Sequence, residues 1–170
     1  MSLMEIAQLL GNLGEFIGAI VIVITLIYLT TQVKQNTYAL HAQSRQAVVS
    51  SAQAELFAMM DNPDLVINLL KTESLTPEEH VKLSSWMGAV MRLREFCWLQ
   101  HQIGVVDEVQ WNTEMRVMRS VLSTHRSRVW WDLVGRFVFG AKFVEYVDDA
   151  LVDQPATNDS WEILTDFTNR

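Results

Sequence analysis

An uncharged apolar run of 18 residues constrains this chain more than any other feature of its sequence. It covers residues 16–33, between Glu15 and Lys34. As an α-helix the run would be about 27 Å long, enough to cross the hydrocarbon core of a bilayer. Ile and Val occupy every face of that helix, which is typical of a lipid-facing segment. The run therefore predicts a transmembrane helix at 16–33. A fully buried central helix is the alternative, because the densest part is only residues 16–29.

The flanks of this run indicate an uncleaved anchor rather than a signal peptide. Residues 1–15 contain two Glu and no Lys or Arg, and no small-x-small cleavage site follows the run. Lys34 and Arg45 follow it, so the positive-inside rule predicts an outside N-terminus and a cytoplasmic C-terminal part. The single cysteine, Cys97, agrees with a reducing compartment and excludes an intramolecular disulfide.

Composition and motifs exclude several classes of protein. The 7 Gly and 3 Pro are too few for a turn-rich β-fold, and 20 acidic against 13 basic residues argue against a nucleic-acid partner. The sequence contains no phosphate-binding loop, dinucleotide fingerprint, zinc-protease motif, nucleophile elbow or EF-hand loop. We therefore expect neither enzymatic activity nor a cofactor.

Helix signals continue beyond the apolar run. Residues 19–62 contain neither Gly nor Pro, so the membrane helix can extend into the cytoplasm. Thr76 with Glu79 forms a capping-box pattern, and Gly104 ends the helix that begins there. Asp107 and Ser127 are predicted to cap two further helices.

The predicted fold is all-α, with an N-terminal transmembrane helix followed by a bundle of about five helices. The predicted divisions are an N-terminal flank (1–15), the transmembrane helix (16–33), a cytoplasmic helical domain (34–153) and an acidic tail (154–170). Within the tail, the apolar residues that could dock on the bundle are Trp161, Ile163, Leu164 and Phe167.

Three segments carry a resemblance to a known group. Residues 14–37 (GEFIGAIVIVITLIYLTTQVKQNT) contain an IYL-x-x-Q-[VI]-[KR]-Q-N-T signature, followed by FCWLQHQIGVVDEVQW at 96–111 and RVWWDLVGRFVFGAKFVEYVDD at 128–149. Together they resemble a widespread group of uncharacterised bacterial single-span membrane proteins. The resemblance implies a membrane anchor and a cytoplasmic helical domain, hence the bacterial inner membrane, and it implies no activity or catalytic residues.

Small and polar residues share one narrow stripe of the predicted span. At 100° per residue the stripe comprises Gly11, Gly14, Gly18, Thr25, Gln32 and Asn36. Small residues allow two helix backbones to approach closely in lipid, and Thr or Gln can hydrogen-bond across the contact. The stripe predicts helix–helix association, with a second copy or with another subunit of a membrane complex. The alternative is that Gly is simply common in membrane helices.

Cys97 and His101 are one helical turn apart and are the weak candidates for a metal site or a nucleophile with its base. Two ligands are half a zinc site, and the other histidines are isolated. The interpretation we favour places Cys97 in the core and His101 near a helix C-terminus, with no metal.

Six Trp are many for this length, and they indicate either an aromatic core or an apolar ligand pocket. Trp130 and Trp131 are adjacent and point about 100° apart on a helix. The two cannot both face the same core, so one interpretation places one of them at an interface or against lipid headgroups, and the alternative is that they pack within a core.

Charge is segregated late in the chain. Residues 116–142 contain one acid, Asp132, whereas residues 143–170 contain seven acids and one Arg. The basic stretch could be a solvated face, a surface that lies on anionic lipid, or a platform onto which the tail folds back. The candidate membrane-surface residues are Arg116, Arg119, Arg126, Arg128, Arg136 and Lys142.

Two functions remain in contention. The first is a non-enzymatic scaffold or accessory subunit of a membrane assembly that contacts membrane lipid. The second is a membrane-anchored sensor or binder of an apolar small molecule, which would require a cavity of hundreds of cubic ångströms with convergent polar groups.

Overall fold

The computed structural model of the chain describes residues 2–159 and 161–162, and over these residues the only regular secondary structure is helical. The predicted fold class is confirmed: a long apolar N-terminal helix is followed by a helical bundle. The elements are α1 (Leu3–Asp61), α2 (Asp64–Leu70), α3 (Pro77–Gln102), α4 (Glu108–Val121), α5 (His125–Trp130), a π-helical segment (Trp131–Gly135), α6 (Arg136–Val138) and α7 (Ala141–Leu151).

The chain divides into two compact units, Met1–Gln43 and Ser44–Arg170. The division falls within α1, later than the predicted change from membrane helix to domain after residue 33. The burial pattern explains the difference, because Val48 is the buried residue of α1. The predicted boundaries at 15 and 153 stay predictions.

The first unit consists of α1 up to Gln43, and its described side chains from residue 2 to residue 40 are all exposed. This helix is long and apolar enough to cross a membrane: its best 18-residue window has a mean hydropathy of 2.2, and none of that window is buried. The absence of Gly and Pro between residues 19 and 62 correctly predicted that the helix continues past the apolar run.

The second unit buries an aromatic and methionine-rich core. Met87 and Met91 of α3, Met118 of α4 and Phe143 of α7 are at most 1% exposed. A second, smaller cluster forms beside it, and its members are Val48, Leu93, Cys97, Val106 and Trp111. Area burial of such large side chains is the main stabilising contribution in a helical bundle.

The predicted helix ends are mostly confirmed. Thr76 and Glu79 form the complete capping box, Asp107 accepts a hydrogen bond from Gln110 N at 2.9 Å, and Gly104 has a φ of +75°. Ser127 was the wrong cap. Thr124 caps α5 instead, because its hydroxyl accepts a hydrogen bond from Ser127 N at 3.1 Å.

Both adjacent tryptophans are buried, so the interpretation that places one of them at an interface is wrong. Trp130 is 9% exposed and Trp131 is 1% exposed. Their indole N–H groups diverge, as 100° spacing requires, but each finds an acceptor inside the unit. Trp130 Nε1 donates to Ser84 Oγ of α3 at 2.8 Å, and Trp131 Nε1 donates to Asp148 Oδ1 of α7 at 2.9 Å. Packing against α3 on one side and α7 on the other therefore buries both rings.

The described part of the tail folds back onto the bundle, as one of the three interpretations of the charge pattern anticipated. Thr157 N donates to Ser123 O at 2.8 Å, and Trp161 Nε1 donates to Ser120 O at 2.6 Å. Trp161 is 5% exposed and packs edge-on against Trp86, with ring centroids 6.2 Å apart. The other predicted docking residues, Ile163, Leu164 and Phe167, lie outside the described residues.

Candidate functional site

The predicted association stripe lies on the exposed helix of the first unit. A Cβ added at Gly11, Gly14 or Gly18 would have no described heavy atom within 4 Å apart from its own helix backbone and its chain neighbours. Thr25 Oγ1 donates to Val21 O within its own helix at 2.8 Å, and Gln32 is exposed. No contact among the described residues therefore requires glycine at these three positions, and a partner helix can approach the stripe.

Cys97 and His101 have separate neighbours rather than a shared ligand. Cys97 is 0% exposed, and burial raises the pKa of its thiol to about 12, with the nearby Glu114 carboxylate adding to the effect. His101 stacks on Trp111, with ring centroids 5.5 Å apart, and its Nδ1 lies 3.1 Å from Val106 O. That carbonyl can only accept, which makes Nδ1 the nitrogen that carries hydrogen. Within the described part of the chain, no group of three or more His, Cys, Asp or Glu could hold a metal ion.

Three of the six candidate membrane-surface cations make side-chain contacts with other elements of the fold. Arg126 Nη2 donates to Lys71 O at 2.5 Å and to Glu73 O at 2.8 Å. Arg128 donates to the carbonyls of Leu122, Leu151 and Gln154. These two guanidiniums bind carbonyl groups at helix ends and in loops, so contacts within the fold hold them in place without a lipid surface.

Arg136 lies between two acids, Asp132 at 3.1 Å and Asp148 at 3.2 Å. The remaining three cations, Arg116, Arg119 and Lys142, are exposed.

A buried charge cluster joins α1, α3 and α4, and sequence reasoning missed it. Arg94 of α3 is 3% exposed and donates from Nη1 to both carboxylate oxygens of Glu55 on α1, at 2.7 and 2.6 Å. On its other side, Arg94 Nε lies 3.4 Å from Glu114 Oε2 of α4. We call Glu55, Arg94 and Glu114 the buried triad. Its first two members are 39 residues apart, so no local spacing could have signalled the pair.

The buried triad carries two carboxylates and one guanidinium, a formal charge of −1. Burial raises the pKa of Glu55 above its usual value, Arg94 opposes that shift, and the Glu114 charge adds to it. Arg94 Nε and Glu114 Oε2 are buried, and neither forms a hydrogen bond with the described residues. The described residues therefore leave the triad incomplete in both charge and hydrogen bonding.

A groove of about 300 Å³ reaches the buried triad from the surface. We call it the triad groove. Glu55 and Arg94 line it together with Trp86 and Trp161, which are 8% and 5% exposed. At its exposed edge lie Leu56 and Val117. The triad groove combines apolar surface with two convergent charged groups, the combination that small-molecule sites commonly have.

The chain was compared with protein-family models, with curated proteins and with solved structures, and none of them matches it. The geometry of the described residues therefore supplies the arguments that follow.

Proposed function

We propose that this chain is a single-pass membrane protein that serves as a scaffold or accessory subunit of a membrane assembly. The observation that carries the proposal is the exposed apolar helix of the first unit. Its 18-residue window with a mean hydropathy of 2.2 has no buried residue. Exposing that much apolar surface to water is unfavourable by about 25 cal/mol per Å², so lipid or another protein must cover it.

The proposed topology places the N-terminus outside and the second unit in the cytoplasm. Lys34 and Arg45 follow the apolar run, and no Lys or Arg precedes it, which supports this orientation by the positive-inside rule. The second unit has its own core, as an independent cytoplasmic domain requires. The signature in residues 14–37 supports membership in the bacterial group named above, and with it the bacterial inner membrane.

Association through the glycine stripe is the proposed means of assembly. Glycines at 11, 14 and 18 present backbone with no side chain over it, and the space above each is open. In lipid, where apolar burial gives no net driving force, close backbone packing of this kind stabilises helix pairs. The partner helix belongs to a second copy or to another subunit.

A matched pair of substitutions tests this assembly. Gly18→Ile places a branched side chain on the stripe. Beyond the backbone of its own helix and its chain neighbours, no described atom lies within 4 Å of the new Cβ, so the fold itself should tolerate the change. Val21→Ile adds one methyl group away from the stripe and is the control. We expect Gly18→Ile to weaken crosslinking in membranes roughly tenfold, which corresponds to about 1.4 kcal/mol, and Val21→Ile to leave it unchanged.

The comparison is made in the full chain, so that any contribution of the second unit to association is the same in both variants and in the parent. Equal crosslinking of Gly18→Ile and the parent would remove the stripe from the mechanism. A self-association readout and a pull-down of other membrane proteins distinguish a second copy from a different subunit.

The triad groove favours a second candidate function, a membrane-anchored binder of an apolar small molecule. Its volume of about 300 Å³ is at the lower end of the range for ligand sites, and two charged groups converge on it. This candidate is compatible with the first, because the groove belongs entirely to the second unit and the glycine stripe to the first.

A further inference from the structure

The charge balance of the buried triad restricts what can bind in the groove beside it, which Glu55 and Arg94 line and Glu114 does not. Glu55 and Glu114 share the single cation Arg94, and no second cation among the described residues lies within 4.0 Å of either carboxylate. Arg94 and Glu114 are buried and Glu55 is half-buried, and a net negative charge there is costly unless it is neutralised. Protonation of a carboxylate or an added cation can neutralise it.

The hydrogen-bonding capacity of Glu55 leaves room for such a cation. An ionised carboxylate has about four acceptor positions. Arg94 Nη1 uses one on each oxygen, at 2.7 and 2.6 Å. The Glu55 side chain is 17% exposed and lines the groove, so a ligand can reach its remaining positions.

The aromatic lining of the groove suits the same kind of ligand. Trp86 and Trp161 meet edge to face and both line the groove, so an indole ring lies close to the acidic group. A cation near the face of an indole ring is attracted electrostatically by the ring. The other lining residues are mainly aliphatic, for example Leu56, Val90 and Val121, and they suit a hydrocarbon chain.

We propose that the triad groove binds a small apolar molecule that carries a primary ammonium group. The ammonium donates to Glu55 and supplies the positive charge that the buried triad lacks, while the hydrocarbon part lies between Trp86, Trp161 and Leu56. This inference rests on the second candidate function, that of a binder, and not on the scaffold proposal. Its test does not involve association of α1, so the two can fail separately.

Three water-soluble probes of equal chain length test the proposal: n-hexylammonium, hexanol and hexanoate. The full chain is placed in nanodiscs of uncharged lipid, and binding is measured by calorimetry and tryptophan fluorescence, with empty nanodiscs subtracted. We expect saturable binding of hexylammonium that is at least roughly tenfold tighter than that of hexanol or hexanoate. Equal binding of hexanol, tighter binding of hexanoate, or no saturable binding of hexylammonium at millimolar concentration would overturn the proposal.

Two variants locate the binding. Glu55→Gln keeps the size of the side chain and removes its charge, so it should reduce the affinity for hexylammonium at least roughly tenfold. Leu56→Trp enlarges a side chain at the exposed edge of the groove, where Leu56 is 59% exposed, and it should block all three probes. Glu78→Gln, an exposed substitution in the first turn of α3, is the control. Unchanged binding in Leu56→Trp would exclude the groove even if Glu55→Gln failed to fold.

Discussion

At the scale of single residues, burial determines which polar groups of this chain can react or titrate. Cys97 is the clearest example, because a thiol is nucleophilic only as the thiolate. Its side chain is 0% exposed, and desolvation raises its pKa to about 12, with further contributions from nearby charges. At pH 8 about one thiol in ten thousand would be ionised.

We therefore expect Cys97 to resist alkylation in the folded chain. N-ethylmaleimide at pH 8 should modify it very slowly in nanodiscs and rapidly after denaturation, which mass spectrometry measures. Fast modification of the folded chain would mean that the thiol is accessible and would restore Cys97 with His101 as a candidate reactive pair.

Glu55 makes a pH-dependent contribution to stability. Its pKa in the fold is raised by burial, against the opposing effect of Arg94, and Glu114 raises it further. An acid with a raised pKa binds protons more readily in the folded state, so its unfavourable contribution is absent below the unfolded value, near 4.5, and grows as pH rises toward the folded pKa. The groups that face it are Arg94, Glu114 and Cys97.

The expected result is a pH-dependent difference between the parent and Glu55→Gln. As pH rises from about 4 to 7, the parent should lose stability relative to Glu55→Gln, measured by urea unfolding in nanodiscs. Glu78→Gln should show no such trend relative to the parent. A difference that stays constant or changes in the opposite direction would show that Arg94 outweighs desolvation.

At the scale of elements, the packing of the π-helical segment Trp131–Gly135 requires that residue 135 has no side chain beside the Trp131 ring. A Cβ added at Gly135 would lie 2.9 Å from Trp131 Cδ2, closer than real Cβ contacts come. Trp131 is 1% exposed and bonded to Asp148, so its ring cannot move aside cheaply. By contrast, a Cβ at Gly88 in α3 would meet its nearest atom, Trp130 Cζ2, at 4.0 Å.

These two glycines form a matched pair for thermal unfolding. Gly135→Ala should destabilise the chain by about 1–3 kcal/mol through overpacking, which lowers the melting temperature by roughly 2–12 °C. Gly88→Ala should leave the stability unchanged or raise it by up to about 1 kcal/mol, because Ala favours the helix. Equal effects of the two substitutions would contradict the packing around Trp131.

The elements that sequence predicted well are those with local physical causes. The Thr76 capping box, the Asp107 cap and the positive φ of Gly104 each involve residues within a few positions of one another. What could not be predicted depends on tertiary contacts. The salt bridge of Glu55 with Arg94 spans 39 residues, and Trp130 and Trp131 are both buried because α3 and α7 supply acceptors on different sides.

Among the candidate sites too, those built from one helix were predictable from sequence and those built from several elements were not. The glycine stripe is a property of one helix, so its periodicity could be read directly, and its function stays a prediction. The basic stretch looked like one surface, yet Arg126, Arg128 and Arg136 make their contacts within the fold. A ligand cavity was anticipated in general terms, but the residues of the triad groove were not, since they come from α1, α3, α4 and the tail.

At the scale of the whole molecule, the proposed function combines a membrane anchor with a folded unit that has its own core. The first unit consists of exposed helix, and the second contains the aromatic clusters, the buried triad and the groove. Under the proposed function, the first unit packs against another helix in lipid and the second binds a ligand, so each unit makes a different kind of contact.

Topology is the most direct test of this account, and two introduced cysteines measure it. Ser2→Cys and Asp153→Cys lie at exposed positions on opposite sides of the apolar run, and the parent chain is the blank because Cys97 is buried. A membrane-impermeant maleimide is added to intact bacterial cells that express the chain. We expect labelling of Ser2→Cys before permeabilisation and of Asp153→Cys only afterwards; labelling of Asp153→Cys in intact cells would contradict the account.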